Sequence, residues 1–277
     1  MSVLIPKRCL IVYLLSLAVV FLWQGAGRVH ADADNALPEG MVLIPEGEFI
    51  MGAQSPEDGR PGFDYGVDEE PRHKVSLKAF YMDRYEVTIG EFKEYLKATG
   101  NQWVGDKNLP DQFPPEVLFD PPERDRFPVN YITWDEANAY CRWRGKRLPT
   151  ESEWEKAARE SDGRIWPTGG TFVPKNANVE ETRNPWPVPV GSYPEDKSPF
   201  GLYDVVGNLS EWTSSYYLPY PGNKYDDGRY SDKIFVLRGG LFFSRHRMED
   251  LLPVPLPMRL IATGCTVFDA PKMPFDS

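Results

Sequence analysis

Three Thr-x-x-Glu patterns, each followed by an amphipathic stretch, constrain the fold of this chain more than any other feature of its sequence. They begin at Thr88, Thr133 and Thr150. In such a capping box, the Thr hydroxyl and the Glu carboxylate accept hydrogen bonds from the free N–H groups of the first helical turn. Gly100 and Gly145 stand where glycines commonly end helices. The sequence therefore predicts three helices that begin directly after these threonines.

The remaining sequence predicts short strands and long loops. Residues 41–52 carry two apolar runs around a Pro-Glu-Gly turn, which predicts a β-hairpin, and residues 74–82 predict a further strand. Residues 101–127 and 214–232 are rich in turn-forming and polar residues, so we expect them to be loops that carry function. The chain has 27 Pro and 23 Gly without a short repeat, which favours a loop-rich α+β domain over a fibrous or disordered chain.

The charge of the chain excludes two classes of partner. The formal net charge is −10. A nucleic-acid-binding protein needs a basic face to neutralise phosphates, and a protein that docks on an anionic membrane needs the same. We therefore expect no nucleic acid and no membrane-surface partner.

The first 31 residues have the pattern of a signal peptide. Lys7 and Arg8 precede an apolar run from Cys9 to Trp23, which is short of the roughly 20 residues that a spanning helix needs. Small residues then favour cleavage after Ala31. The alternative is an uncleaved membrane anchor, and in either case we expect the rest of the chain to be exported, periplasmic or extracellular.

Two cysteines, Cys141 and Cys265, remain after such a cleavage. In an oxidising compartment, two remaining cysteines form a disulfide more often than they stay free. The alternative, a metal site, would need further ligands close in sequence, and the sequence around these cysteines offers none.

Several segments, in order along the chain, are similar to motifs of one known family. They are residues 41–52, 80–88, 128–134, 139–143, 145–155 (GKRLPTESEWE), 201–208 with 211–213, and 237–240 (LRGG). The chain thereby resembles the formylglycine-generating enzyme family, also called sulfatase-modifying factors. The resemblance implies a variant of the C-type lectin fold over residues 39–268, with a polar lead-in at 32–38 and a tail at 269–277.

The resemblance also implies which residues the family chemistry requires. The enzymes oxidise a sulfatase cysteine to formylglycine by means of two thiols that hold copper. Ser244 and Glu249 occupy the positions of these thiols, and a hydroxyl and a carboxylate are hard ligands that do not replace the soft thiolates that Cu(I) prefers. We therefore expect neither copper nor this catalysis. The family pattern further implies a disulfide between Cys141 and Cys265.

Calcium is the other cofactor that the resemblance implies. Its ligands would be the carboxylates of Asp204 and Glu211 with the backbone carbonyls of Gly207 and Leu209, a set of oxygens on one tight loop that suits Ca²⁺. The alternative is a turn in which the two acids only accept hydrogen bonds from nearby N–H groups. A second family site would use Asn178 and the carbonyl of Val179.

Two further segments are candidates for a binding surface, because loops at these places line the peptide groove in the family fold. One is the tyrosine-rich loop, with Tyr216, Tyr217 and Tyr220. The other is an alternating apolar strip that contains Pro253, Pro255 and Pro257, which stiffen it into an extended form. The alternative for the strip is a buried wall of the core.

The sequence thus predicts an exported, non-catalytic module that binds a protein or peptide, or serves as a subunit of a larger complex. The alternative is an oxidoreductase of the same superfamily that modifies a peptide or small molecule with a changed active site. A sugar-binding protein is a third hypothesis, which rests on analogy of fold alone.

Overall fold

The computed structural model describes residues 38–53, 67–103, 122–170, 172–226, 228–242, 261–262 and 266–269. These residues lie in one compact unit that begins at Pro38. They form three α-helices, short 3₁₀ turns and three small sheets, which confirms the loop-rich α+β class.

The three predicted helices are confirmed, with a complete capping box at each start. They are α1 (Ile89–Thr99), α2 (Trp134–Trp143) and α3 (Glu151–Arg159). Gly100 ends α1 in the left-handed conformation. Gly145 does the same after α2, where its N–H and that of Lys146 bond to the carbonyls of Arg142 and Cys141. None of the described helices is long and apolar enough to span a bilayer.

The predicted hairpin is wrong, because its two strands pair with other strands. The first four strands are β1 (Met41–Ile44), β2 (Gly47–Met51), β3 (His73–Leu77) and β4 (Phe80–Asp83). β1 pairs with β4 and β2 with β3, both antiparallel and in one continuous register. The strand predicted at 74–82 is therefore two strands, interrupted opposite the interruption between β1 and β2.

A buried lysine holds this interruption in place. Lys156 Nζ donates to the carbonyls of Pro45 and Gly47, at 2.7 and 2.9 Å. Pro45 itself has no N–H to give to a partner strand, so the ladder has to break at this point. The four strands are consequently one bent ribbon whose two halves lie in different sheets.

The second half of the chain contributes a mixed three-stranded sheet. Its central strand β5 (Ser210–Tyr217) pairs antiparallel with β6 (Ser231–Arg238) and parallel with β7 (Ile261–Ala262). Strand β8 (Thr266–Asp269) joins β4 in the first sheet.

Two apolar clusters hold these elements together. In one, Trp154 of α3 packs with residues of β1, β4 and the segment before β5. In the other, Phe92 and Tyr95 of α1 pack against Tyr140 of α2, with ring centroids 5.6 and 5.7 Å from that of Tyr140. Cys141 is fully buried in this second cluster.

Candidate functional site

The predicted calcium loop, residues 204–209, has a tightly constrained backbone. Asp204 and Asn208 adopt positive φ angles of 59° and 71°, a region that Asp and Asn enter more readily than most residues. A Cβ atom at Gly207 would lie 2.3 Å from the carbonyl oxygen of Asn178, so only glycine fits there. The loop therefore points its carbonyl and carboxylate groups in directions that a regular turn would not allow.

Side chains from distant segments fix this loop by hydrogen bonds. The Asp196 carboxylate accepts from the N–H groups of Val206 and Gly207, at 3.0 and 3.1 Å. The Asn208 side chain donates to Glu86 Oε2 at 2.7 Å, and the N–H of Leu209 donates to Glu86 Oε1 at 3.1 Å. Glu86 and Asp196 therefore act as acceptors that hold the loop in shape.

Four buried carboxylates, which we call the acidic cluster, surround the loop: Glu86, Asp196, Asp204 and Glu211. Burial, followed by the repulsion from Asp204, raises the pKa of Asp196 to about 8 and that of Glu86 well above its usual range. Burial is also the main cause that raises the pKa of Asp204 to about 6 and that of Glu211 to about 8. No Lys, Arg or His among the described residues is a main cause of the pKa shift of any of these four carboxylates.

Glu211 lies beside the indole of Trp154. The indole N–H favours the charged form of Glu211 and so lowers its pKa against the larger effect of burial. Trp154 Nε1 nevertheless has no hydrogen-bond partner at normal geometry. The two groups are thus close without a well-formed bond, and Glu211 keeps capacity to accept a further donor or a cation.

The donor set around the loop fits a hard cation. Two carboxylates and two backbone carbonyls are oxygen ligands of the kind that Ca²⁺ takes. Within the residues that the structure describes, no three His, Cys, Asp or Glu side chains are grouped as a metal site would require. A calcium ion bound by Asp204 and Glu211 would therefore depend on the carbonyls of Gly207 and Leu209 as well.

The residues of the predicted second calcium site are engaged in hydrogen bonds within the protein. Asn178 Oδ1 accepts from Asn184 Nδ2 at 3.2 Å, and the Val179 carbonyl accepts from Thr182 Oγ1 at 2.6 Å. These are the oxygen atoms that calcium would need. Both residues thus support the segment next to the loop, and the second calcium site stays a prediction.

The three predicted tyrosines differ in their surroundings. Tyr216 is 45 % exposed, whereas Tyr217 and Tyr220 are buried. The Tyr217 hydroxyl donates to Asp68 at 2.8 Å, and the Tyr220 hydroxyl donates to Glu151 at 2.9 Å. The structure therefore brings only Tyr216 of the three to the surface.

Tyr216 belongs to a stack of three aromatic rings that we call the aromatic face. Its ring stacks on that of Phe235 with centroids 4.8 Å apart, and Phe235 stacks on Trp134 at 3.9 Å and 3°. The Trp134 indole N–H donates to the carbonyl of Thr213 at 2.8 Å, which joins α2 to β5. Trp134 and Phe235 were not predicted as surface residues, because their pairing depends on the contact between α2 and the sheet.

A second buried charged group, the arginine cluster, was not predicted. Its members are Arg159, Arg238, Glu69, Glu151 and Glu155. Arg238 pairs with Glu69 and Glu155, lies 3.3 Å from Glu151, and donates to the Tyr220 hydroxyl at 3.1 Å. The Leu-Arg-Gly-Gly motif marked Arg238 in the sequence, but its partners come from three other segments.

Several predicted residues lie outside the described part of the chain. Cys141 is disulfide-bonded, whereas its predicted partner Cys265 is outside the described residues, so their pairing stays a prediction. The two positions of the family thiols, the proline strip and the signal segment also lie outside the described residues, so what was predicted for them stays a prediction. These residues are Ser244, Glu249, Pro253, Pro255, Pro257 and residues 1–31.

Comparisons with known proteins match the chain over most of its length. Residues 26–252 match the sulfatase-modifying factor enzyme 1-like domain. The chain is 34% identical to the inactive C-alpha-formylglycine-generating enzyme 2 of Bos taurus over 227 residues, which cover 66% of this chain and 73% of that protein. It is 32% identical to the formylglycine-generating enzyme of Bos taurus over 242 residues, which cover 68% of this chain and 63% of that protein.

A solved structure has the same fold. PvdO from Pseudomonas aeruginosa is 28% identical, with a TM-score of 0.63, and the match covers 82% of this chain and 93% of PvdO. The similarity therefore extends from sequence motifs to the arrangement of the whole compact unit.

Proposed function

The chain belongs to the sulfatase-modifying factor, or formylglycine-generating enzyme, family, and we propose that it is an exported, non-catalytic member that binds a protein or peptide partner. In this proposal the family scaffold is kept and the oxidation chemistry is lost. The partner is a separate exported protein, or another subunit of a complex that contains this chain.

The observation that carries the proposal is the pair of residues at the positions of the family thiols. Ser244 and Glu249 provide hard oxygen atoms where copper catalysis needs two soft thiolates. Overall identity does not distinguish the alternatives, because the inactive and the active relatives are matched at 34% and 32%. The two positions do distinguish them, since the oxidation cannot proceed through copper without sulfur ligands.

The aromatic face supports a binding role. Tyr216, near the end of β5, and Leu218, directly after the strand, are 45 % and 51 % exposed. Large apolar side chains grouped on a surface are typical of protein-binding sites, and Tyr and Trp contribute most at such sites. The alternating prolines at 253–257 would add a stiff apolar segment to the same function.

Calcium has a structural role in this proposal. The Asp204 and Glu211 carboxylates and the carbonyls of Gly207 and Leu209 hold the ion, while Glu86 and Asp196 keep the loop in shape through its N–H groups. The ion supplies positive charge to a group of buried carboxylates that has no cation of its own among the described residues. It takes no part in a reaction.

Affinity purification of the tagged full chain from its native host, followed by mass spectrometry, tests the proposal. We expect one exported protein in stoichiometric amount, reduced at least tenfold by Tyr216→Ser. Tyr225→Ser is the matched control, because Tyr225 is 47 % exposed but is not part of the aromatic stack. Purification of the chain alone, carrying copper or iron and consuming oxygen with a cysteine peptide, would contradict the proposal and favour an oxidoreductase.

A further inference from the structure

A charged cavity of about 290 Å³ lies between the end of β4, the start of α1 and the end of α2. None of the residues predicted for calcium, the disulfide or partner binding lines it. Its polar lining includes four carboxylates, two cations and a phenol hydroxyl, and its apolar wall includes Val87 and Val190: the polar groups belong to Glu39, Asp83, Glu86, Glu91, Arg144, Lys146 and Tyr140. The volume is at the lower end of the range of about 300–1,000 Å³ that small-molecule sites occupy.

One pair of charges in the cavity is already neutralised. Lys146 Nζ lies 2.5 Å from Asp83 Oδ1, and the two side chains are 10% and 17% exposed. Burial raises the pKa of Asp83 to about 6, although Lys146 acts in the opposite direction. This pair therefore forms a fixed, partly buried floor.

Two of the other carboxylates that line the cavity are already accounted for, since Glu86 accepts bonds from the calcium loop and Glu39 is exposed to solvent. The charges of Glu91 and Arg144 remain, and they face the cavity without meeting each other. Glu91 Oε2 accepts the two capping bonds from Thr88, at 2.9 and 2.8 Å, and its Oε1 has no hydrogen bond among the described residues. Arg144 makes no ion pair in the part of the chain that the structure describes, although both residues line the same cavity. A positive and a negative group are thus held apart across a space large enough for a ligand.

The Tyr140 hydroxyl also lines the cavity, near these two groups. Tyr140 is 1 % exposed, and its hydroxyl has no hydrogen-bond partner among the described residues. Burial raises its pKa, Glu91 raises it further and Arg144 lowers it, which places the oxygen near both charges. The hydroxyl is accessible from the cavity, so a polar group of a ligand can bond to it there in place of water.

We infer that this cavity binds a small zwitterion of the size of a free α-amino acid, with its ammonium at Glu91 and its carboxylate at Arg144, and with the Tyr140 hydroxyl bonded to either group. A simple anion would face the carboxylates of Glu91 and Asp83. A simple cation would face Arg144 and Lys146. A neutral molecule would displace the water around Glu91 and Arg144 without offering either of them a charged partner.

The valines define the remainder of the ligand. Val87 and Val190 are 3 % and 7 % exposed and line the cavity beside the charged groups. They favour a small apolar side chain on the amino acid. This inference does not depend on the proposed partner binding, because no residue of the aromatic face lines the cavity.

Isothermal titration calorimetry of the full chain with three related small ligands tests the inference without any mutation. L-valine carries both charges, N-acetyl-L-valine lacks the ammonium, and L-valine amide lacks the carboxylate. We expect L-valine to bind and each of the other two to bind at least about tenfold more weakly, since each loses one charge-assisted interaction. Absence of L-valine binding, or equal binding of the three probes, would overturn the inference.

Variants then locate the site. Arg144→Gln is expected to weaken L-valine binding about tenfold or more, and Tyr140→Phe about threefold to tenfold, from the usual strengths of charged and neutral hydrogen bonds. Arg142→Gln is the matched control, because Arg142 is exposed on the same helix and does not line the cavity. Tyr140→Phe should leave the melting temperature unchanged or raised, since the hydroxyl has no partner to lose. Unchanged affinity in both cavity variants would place L-valine elsewhere and refute the site.

Discussion

Two groups of buried carboxylates lie in the same compact unit, and they are neutralised in different ways. In the arginine cluster, Arg238 and Arg159 pair with three glutamates. In the acidic cluster, Asp204 lies close enough to raise the pKa values of Glu86 and Glu211, and the hydrogen bonds that these carboxylates accept among the described residues come from N–H and amide donors. One group carries its own cations, and the other does not.

The two groups therefore have different requirements for compensating charge. Ion pairs inside a protein offset much of the cost of burying charge, provided that both partners are present. Hydrogen bonds from N–H groups offset only part of this cost when several carboxylates are close together. The arginine cluster therefore has partners of opposite charge within the folded chain, whereas we expect the acidic cluster to gain stability from a cation supplied by the solvent.

Replacement of the central arginine should have the largest effect. Arg238→Met leaves Glu69 buried without its partner and leaves Glu155 with Arg159 alone, so we expect the free energy of unfolding to fall by about 3–5 kcal/mol. Arg164→Met is the control, since Arg164 pairs with Glu160 and Asp162 near the surface and should cost about 1 kcal/mol or less. Urea unfolding followed by tryptophan fluorescence measures both. Equal losses would show that the arginine cluster does not depend on its charge pairing.

An added negative charge in the acidic cluster should have the next largest effect. Asn208→Asp replaces the amide that donates to Glu86 with a further carboxylate, so we expect a loss of about 2–4 kcal/mol. Asn176→Asp is the matched control, because the Asn176 side chain makes no hydrogen bond among the described residues, and it should stay within about 0.5 kcal/mol. If Asn208→Asp lowered the free energy of unfolding as little as the control does, the acidic cluster would tolerate a further negative charge without a compensating cation.

Calcium should stabilise the protein through the acidic cluster. At about 100 times the dissociation constant, a ligand of the folded state adds about 2.7 kcal/mol, which raises the melting temperature of a domain of this size by about 5–10 °C. We expect chelator to remove the gain and Glu211→Gln to abolish it. Glu195→Gln, an exposed neighbour of Asp196, should keep the gain. A melting curve that ignores calcium in the unmodified chain would refute the calcium site.

The Glu153 carboxylate contrasts with the acidic cluster, because its pKa is lowered and not raised. Burial raises the pKa of Glu153, but the bonds from Arg147 and Thr150 outweigh it, and the net pKa is lowered. Its charge therefore stabilises the fold fully above the ordinary glutamate pKa, and this contribution is lost as the pH falls through the lowered value.

We accordingly expect Glu153→Gln to cost about 1–2 kcal/mol at pH 7 and progressively less below pH 4.5. Urea midpoints measured from pH 3 to 7 provide the test. Glu123→Gln, at an exposed 3₁₀ turn, should show no such pH-dependent difference. A Glu153→Gln penalty that grows towards acid pH would reverse the predicted sign.

The helices were predictable from sequence and the strand pairing was not. Each capping box is complete within four residues, so Thr88, Thr133 and Thr150 mark helix starts whatever surrounds them. The pairing of β1 with β4 and of β2 with β3 depends instead on Lys156, which belongs to α3 and reaches the turn at Pro45 and Gly47. A hairpin rule that considers only neighbouring residues does not include that lysine.

The candidate site was likewise only partly predictable from the sequence. The resemblance to the family marked Asp204 and Glu211, but it did not mark Glu86, which reaches the loop from the segment before α1. It marked Tyr216, Tyr217 and Tyr220 alike, and only the positions of Asp68 and Glu151 explain why the latter two are buried. Residues that act through distant partners left no local pattern to recognise.

The helix starts and the family could be recognised without any structure, and so could the prediction that Ser244 and Glu249 replace the family thiols, because each depends on residues close together in the chain or on the identity of single side chains. The three-dimensional fold was needed to show which carboxylates are paired with arginines, which tyrosine reaches the surface and that Arg144, Glu91 and Tyr140 line one cavity. The physical reason is that charge, burial and hydrogen bonding act over a few ångströms in space. Folding brings within that range residues that the chain keeps far apart.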